Sequence, residues 1–478
     1  MDMKLNFLTE NEIRNVHEYA LELLETMGVE VCNDEAVDYF VKNGATAENN
    51  IVKIPRAVIE KGLSTTIKHD DFVLYGRTPD QDFALKDSLP TIHAMTMATN
   101  VIDPVTGKRQ PATNEDLAKL TILLDKMGTV SAASALITPQ DVQLDTADWY
   151  TWATSLKYTT KHITGGCVGK EGVRDAIRMA SIAIGSEEEF NKRPFISVWA
   201  LTKPPFCFDE NMMNTLMETA AHNVTNVISS GGILGISSPM TLESALVQSH
   251  AEMLACIALT QFVRAGAPVI YSSFVRTMDM RTMGVCMASP ESAMLRGAMA
   301  QMGRFLDLPV QMPLLLRDSK ILDAQTGFET GLCGTIGALT CDYLVAMQMD
   351  SDLVVDYADI PYTNECMEEL QRIAKPLDFS AERLGFDNLR ETGHDGNFLG
   401  SPHTAAYFRD VWMGKLTERR SWAVWNGEGA KDITVKSREK AMGILEENGC
   451  KPLISEEACK AIDEIAENAI EKVLNIAR

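Results

Sequence analysis

Residues 314–329, LLLRDSKILDAQTGFE, set Arg317, Asp318, Lys320, Asp323, Gln325 and Glu329 at the end of a three-leucine run. A strand that delivers so many charged and amide groups at one place is a candidate catalytic or ligand loop. Aspartates capping a strand-to-helix turn, with a lysine neutralising them, would leave the same pattern. If Lys320 is buried, it is a candidate Schiff-base former. Other apolar runs end in further candidates: His93 and Thr96; Thr138 and Gln140; Cys167; Trp199 and Lys203; Ser229, Ser230 and Gly231; Phe274, Arg276 and Asp279; Tyr357 and Asp359. The set is rich in aromatic and amide groups and shows no Ser-His-Asp order. Gly231 and Gly232 mark a strand where bulk is unwelcome, because neighbours need the room or a large planar ligand approaches the backbone. The ten cysteines are scattered, with no C-x-x-C, H-x-H or H-E-x-x-H nearby. They read as reduced packing residues, and the chain is expected to hold no tightly bound metal or cofactor.

These residues need a frame. From about residue 91, apolar runs of strand length recur: TIHAMT, TVSAASALIT, HITGGCVG, PFISVWAL, NVISSGGILG, PVIYSSF, VQMPLLL and LVVDYADI. Amphipathic segments separate them at 114–127, 170–184, 209–222, 241–264, 290–305, 329–348 and 363–374. Eight such alternations predict an α/β fold, a (β/α)8 TIM barrel over 91–376. The rival is a doubly wound sheet, but no G-x-G-x-x-G opens a helix after the first strand. Residues 1–90 read as a mixed α+β N-terminal subdomain, opened by a Thr-capped helix that closes on Gly28. Residues 377–478 read as a helical C-terminal extension with a last helix near 455–477. In a TIM barrel, function sits at the C-terminal ends of the strands, where the candidates collect.

The formal net charge is −22 over 478 residues, which argues against nucleic-acid and anionic-membrane partners. MDMKLNFLTE lacks the charged and apolar regions of a secretory signal, and the longest apolar stretches break before spanning a bilayer. A cytoplasmic protein is expected. The 25 methionines suit irregular cores and adaptable surfaces.

Four stretches together carry a resemblance: LTENEIRNVHEYALELLETMGVEV, SPMTLESALVQSHAEMLACIALTQFVRAGAPVIY, MDMRTMGVCMASPE leading to DSKILDAQTGFE, and GNFLGSPHTAAYFRDVW. In order and spacing the chain resembles the trimethylamine methyltransferase family over nearly its whole length. The resemblance implies a TIM barrel that passes a methyl group from an amine to the cobalt of a separate corrinoid protein docked over the barrel mouth. A homo-oligomer is implied by the same analogy. Archaeal trimethylamine enzymes of the family carry pyrrolysine, whereas this chain has only standard amino acids. It is more similar to the branch that includes glycine betaine methyltransferase and relatives acting on other betaines and carnitine.

Chemistry favours that branch. A neutral tertiary amine would have to expel an amide anion, whereas a quaternary ammonium expels a neutral amine. In-line attack by Co(I) then needs alignment and dryness but no acid, base or covalent nucleophile from the protein. The expected cation holders are Trp199, Phe274, Phe328 and Tyr357. Arg317 and Arg276 are the expected carboxylate readers, with His93 and Gln325 behind them. Asp318, Lys320, Asp323, Glu329 and Gly231 are expected to shape the site. Two other readings stay open: a Schiff-base lyase using Lys320, and a non-catalytic betaine-binding protein.

Overall fold

The computed structural model describes residues 4–95 and 97–469, so Thr96 and the last part of the helix expected over 455–477 lie outside the described residues. Its centre is a ring of eight parallel strands: β1 Thr91–Ala94, β2 Val130–Ala133, β3 Ile163–Gly165, β4 Ile196–Leu201, β5 Thr225–Ser230, β6 Val269–Ser273, β7 Val310–Leu316 and β8 Tyr343–Gln348. They are hydrogen-bonded in the order β3-β4-β5-β6-β7-β8-β1-β2. The seam between β2 and β3 is closed by the Ala132–His162 bridge, where the Ala133 N–H donates to the His162 carbonyl at 2.8 Å. Each strand leads to a covering helix: α1 Asn114–Asp125, α2 Ala147–Tyr158, α3 Gly169–Ile184, α4 Glu210–Ala221, α5 Leu242–Val263, α6 Pro290–Phe305, α7 Ala324–Ala338 and α8 Asp359–Ala374. This is the expected TIM barrel. With helices on one face and a filled interior on the other, nearly every strand residue is buried. Helix α5 is long and apolar enough to cross a membrane, but 83% of that span is buried inside the protein. It lies between the barrel and the helices Glu10–Thr26 and Arg56–Leu63, which accounts for its apolar character all round.

One strand is not where the sequence pattern put it. LVVDYADI is not the eighth strand: Val354–Asp356 pairs in parallel with Asn100–Ile102 in a small cap sheet, and Asp359 opens α8. The eighth strand is Tyr343–Gln348, inside the stretch expected to be one helix over 329–348. Both runs are short and apolar, so periodicity cannot rank them. Tertiary pairing decides, with Tyr343 opposite Gln311 and Thr91.

The N-terminal helix starts at Thr9 with a capping box to Glu12, as its sequence requires. The sheet that follows (Val29–Val31, Thr46–Glu48, Ile51–Lys53) takes its fourth strand, Cys207–Phe208, from the β4–α4 loop. Phe72, Leu74 and Leu85, on and beside the hairpin Val73–Leu74/Phe83–Ala84, pack beneath Ala132, Val227, Ile270 and Tyr343. They plug the N-terminal end of the barrel, so the lumen is approached from the opposite mouth. C-terminal helices Ile433–Asn448 and Glu456–Glu467 pack on α8 and α1, and on α2 and α3, respectively.

Candidate active site

Side chains on a strand alternate, and residues paired in parallel register share a side. The inward set follows from the pairing. Trp199 pairs with Val227, Ser229 with Ser272, Ser272 with Gln311, and Gln311 with Tyr343. His93 pairs with Val345. Past irregularities in β7 at Met312/Leu315 and Leu315/Leu316 the parity changes, so that Leu316, paired with Gln348, joins Phe274 and Val345 on the inner side. Among the described residues, seventeen buried side-chain nitrogen or oxygen atoms have no hydrogen-bond partner, and ten belong to this interior and its mouth. They are His93 Nε2, Trp199 Nε1, Ser229 Oγ, Ser272 Oγ, Arg276 Nε, Gln311 Nε2, Tyr343 OH, both amide atoms of Gln348, and Asp352 Oδ1. Buried polar groups are nearly always paired, so this concentration marks a cavity built to meet polar guests.

Deep in the lumen, His93 stacks on Tyr343 with centroids 3.9 Å apart, and its Nδ1 meets Gln311 Oε1 at 2.6 Å. His162 binds the Tyr75 carbonyl at 2.8 Å and Ser197 Oγ at 3.0 Å. Burial pushes both imidazoles down, His93 to about 3 and His162 to about 4, so both are uncharged at neutral pH. The lumen therefore does not repel a cation.

Above them Trp199 and Phe274 form an edge-to-face pair, centroids 5.2 Å apart, within a cluster that includes Leu316, Val345 and Met287. Past Phe274 the strand ladder continues: the Phe274 N–H donates to the Ser230 carbonyl at 2.7 Å, and the Arg276 N–H to that of Gly232 at 3.0 Å. Two residues apart on an extended chain, Phe274 and Arg276 point the same way. Arg276 thus rises from the aromatic pair into the mouth, opposite Asp352. Burial pushes the Asp352 carboxyl up to about 7, against the pull of Arg276 and Arg296. Arg296 is fully buried and donates to the carbonyls of Val275 at 3.0 Å, Met287 at 2.6 Å and Pro313 at 2.7 Å. Arg276 therefore faces a half-neutral carboxyl, while Arg296 is also under the field of Asp318.

Behind β5, the buried Glu252 accepts from Thr202 Oγ1 at 2.6 Å, Ser230 Oγ at 2.9 Å, the Phe206 N–H at 2.9 Å and Gln248 Nε2 at 3.0 Å. It anchors the β4–α4 loop and accounts for Ser230 facing outward. A Cβ on Gly231 would come within 3.1 Å of Leu201 Cδ1, so the glycine there makes room for a neighbour.

The 317–329 stretch is engaged with itself and with the fold. Arg317 is fully buried between α7 and α8. Its Nη1 donates to both Asp359 oxygens, at 2.6 and 2.7 Å, its Nε to Thr330 Oγ1 and its Nη2 to Thr363 Oγ1. It does not face the lumen, which corrects its expected role as carboxylate reader. Asp318 accepts from the Met287 and Ala288 N–H groups and from Ser351 Oγ, tying three mouth loops together. Glu329 accepts from the Asp318 and Ser319 N–H groups, and from the exposed Gln325 at 2.7 Å. Asp323 caps α7 in a capping box with Thr326. Lys320 is exposed and pairs with Asp350 at 2.9 Å, so the burial required of a Schiff-base lysine is missing. Phe328 is 70% exposed on the outer rim. Tyr357 is buried in the outer core and donates to Asp116 at 2.6 Å, because the chain around it belongs to the cap and not to strand eight. Cys167 is half-buried, its thiol pushed up by burial. Asp279 is held by Arg281 at 2.7 Å. Trp199, Phe274, Arg276 and His93 are brought together, while Arg317, Gln325, Phe328 and Tyr357 are not. Gln348, Asp352, Gln311 and Tyr343 join the first group unannounced, because all but Gln311 lie in or beside the misplaced eighth strand.

Comparison with known proteins agrees with this architecture. The family model described as trimethylamine methyltransferase (MTTB) matches residues 1–468. The chain is 29% identical to trimethylamine methyltransferase MttB of Desulfitobacterium hafniense, over 93% of this chain and 90% of that relative. It is 27% identical to glycine betaine methyltransferase of the same species, over 89% of each. Among solved structures, the monomethylamine methyltransferase of Methanosarcina barkeri superposes with a TM-score of 0.52 at 10% identity. That match covers 94% of this chain and 90% of that one, a likeness of fold. The chain belongs to the trimethylamine methyltransferase family and is a methyltransferase.

Proposed function

We propose that the enzyme moves a methyl group from a betaine-type quaternary amine to the Co(I) corrinoid of a separate protein. The observation that carries this reading is the order of groups at the mouth: an aromatic pair, Trp199 and Phe274, and two residues beyond Phe274 on the same strand a guanidinium, Arg276, whose Nε is buried without a hydrogen-bond partner. Aromatic faces hold a methylated ammonium with little desolvation cost, and a guanidinium holds a carboxylate. A betaine carries both groups on one short chain. In the relatives' names the donors are trimethylamine and glycine betaine. The second fits this mouth better, since trimethylamine offers Arg276 nothing.

The reaction asks little of the protein's acids and bases. The C–N bond breaks with its electron pair left on nitrogen, giving a neutral tertiary amine, and the Co(I) acceptor supplies the pair for the new bond to carbon. His93 and His162, with their depressed basicity, stay out of proton transfer. Trp199 and Phe274 orient the N–CH3 axis outward, Arg276 fixes the carboxylate, and the plugged barrel floor excludes water from behind.

The acceptor fits the rim. Ile236, Met240, Met280, Met283, Ile321 and Phe328, all on loops following strands or at a helix start, are more than half exposed around the mouth. Such a methionine-rich apolar ring suits an adaptable docking surface for a corrinoid protein. Within this reading the enzyme holds no metal of its own. The one described cluster of three possible ligands, Glu30, Cys32 and Cys207, lies on the N-terminal sheet. The strongly reducing acceptor and the ten free cysteines suit a cytoplasmic setting.

The test is a spectrophotometric screen of glycine betaine, proline betaine, carnitine and γ-butyrobetaine for loss of cob(I)alamin, with trimethylamine alongside. One of the zwitterions should be demethylated with a methylated corrinoid product. Equal turnover of trimethylamine, or binding of a betaine without methyl transfer, would overturn the reading.

A further inference from the structure

Outside the barrel mouth, the N-terminal sheet gathers three side chains for which methyl transfer has no use. Its strand Val29–Val31 pairs in parallel with Cys207–Phe208, Glu30 beside Cys207 and Val31 beside Phe208. The ladder continues past the strand, because the Cys32 N–H donates to the Phe208 carbonyl at 2.9 Å. Side chains alternate along an extended chain, so Glu30 and Cys32 share one face and Val31 takes the other. Val31 and Phe208 are fully buried in the main core, which leaves Glu30, Cys32 and Cys207 together on the outer face. Their ligand atoms, a carboxylate oxygen and two sulfurs, all lie within 4.8 Å of one another. The Cys207 thiol interacts with both the Glu30 carboxylate and the Cys32 thiol. The backbone beneath is held on both sides: the Glu30 N–H donates to the Phe206 carbonyl at 2.9 Å, and Lys203 and Cys207 exchange N–H to carbonyl bonds at 3.0 and 3.2 Å.

We propose that Glu30, Cys32 and Cys207 form a site for an exchangeable thiophilic divalent cation of the zinc class, with a fourth position left for water. Spacing favours an ion over a disulfide. The two cysteines stand diagonally across a parallel pair, where a strand spacing of about 4.8 Å and a two-residue rise of about 6.6 Å separate Cα atoms by about 8 Å. A disulfide needs less than about 7 Å. Bonds of about 2.3 Å to sulfur and about 2.1 Å to oxygen at tetrahedral angles put ligand atoms about 3.5–3.8 Å apart, which small side-chain rotations reach from the present cluster. Two sulfurs with one carboxylate select a soft ion and reject magnesium and calcium, which take oxygen shells. On binding, each thiol releases its proton to solvent and gives a sulfur electron pair to the ion, and nothing is oxidised or reduced. Cys207–Phe208 is a two-residue edge strand lent by the β4–α4 loop, whose inner end Glu252 already anchors. The ion would clamp the outer end of the same loop. Half-buried thiols and only three protein ligands make the site an exchangeable one, unlike a closed four-ligand centre. It stands apart from the barrel mouth and is independent of which methyl donor is used.

The test is titration of the full chain, stripped with EDTA and kept reduced by a phosphine, with cadmium(II) and zinc(II). Cadmium should give a thiolate charge-transfer band that saturates at one ion per chain, and about two protons should be released per ion. At a hundredfold excess over Kd, zinc should raise Tm by about 2–4 °C, whereas magnesium should leave it unchanged. Cys32→Ser and Cys207→Ser should each lower cadmium affinity by at least about tenfold, although both variants keep nine other cysteines. Glu30→Gln should weaken binding and leave the charge-transfer band in place. No cadmium uptake by the wild type, or uptake unchanged in a folded Cys207→Ser variant, would overturn the proposal. Should the cysteine variants fail to fold, alkylation of the wild type by iodoacetamide, read peptide by peptide, decides. Cadmium should slow labelling of Cys32 and Cys207 by at least about tenfold while exposed Cys450 labels as before. Equal labelling of Cys32 and Cys207 with and without cadmium would refute the site.

Discussion

Replacing Arg276 by glutamine separates the recognition of carboxylate from the recognition of the cation. Arg276 sits two residues beyond Phe274 on the same extended strand, its Nε buried and unpartnered, and Asp352 is the acid facing it. A charge-assisted bond to a carboxylate contributes roughly 1.5–3 kcal/mol. At about 1.4 kcal/mol per decade, kcat/KM for a betaine should fall by roughly 10- to 150-fold in Arg276→Gln. Tetramethylammonium, which has no carboxylate, should change by less than about threefold, because its site on Trp199 and Phe274 is untouched. The assay is the initial rate of cob(I)alamin loss with each substrate, with circular dichroism to confirm folding. Arg276→Lys should recover part of the betaine activity, since a point charge replaces the planar fork. pH gives a second handle. Below about 7 the Asp352 carboxyl is neutral and Arg276 is free for substrate; above it the carboxylate forms and competes. KM for a betaine should therefore rise between pH 7 and 8.5, while KM for tetramethylammonium stays level or falls. Asp352→Asn should flatten both trends. If Arg276→Gln damages both substrates equally, Arg276 only shapes the mouth, and the assignment of a zwitterionic donor loses its main support.

Trp199→Ala and Phe274→Ala should each reduce kcat/KM for betaine and tetramethylammonium alike, by roughly tenfold for a cation–π contact of about 1–2 kcal/mol; loss with only one substrate would count against the shared cation site. Arg317→Ala should behave as a stability mutation, costing about 3–5 kcal/mol by chemical denaturation because Asp359 is left buried and unpaired, with substrate preference unchanged. His69 is held by Asp342 and Asp70, which raise its pKa from 6.5 to about 9. A raised histidine contributes stability that is complete below its unfolded value and lost as pH rises through the folded one. Thermal stability should therefore fall between pH 6.5 and 9 by about 1–2 kcal/mol after solvent screening. His69→Asn should remove that slope, and an unchanged slope would assign it elsewhere.

The barrel was legible in the sequence because its causes are local. Seven apolar runs, bounded by polar turns and followed by amphipathic stretches, leave few ways to bury both faces of a parallel sheet. The capping box at Thr9 needs only three residues of context. Trp199, Phe274 and Arg276 were legible for the same reason, since each ends a run whose parity can be counted. What the sequence could not decide was any choice between equivalent local patterns. Tyr343–Gln348 and Val354–Asp356 are both plausible strands, and only pairing with β7 and β1 selects the first, taking Gln348 into the lumen. Arg317 and Arg276 are both arginines beyond apolar strands. Asp359, forty-two residues further on, claims one of them, and the other remains free because the acid opposite it is too deeply buried to ionise fully. The roles of the charged residues came from partners distant in sequence, and a desolvated charge goes wherever its counter-charge has been folded.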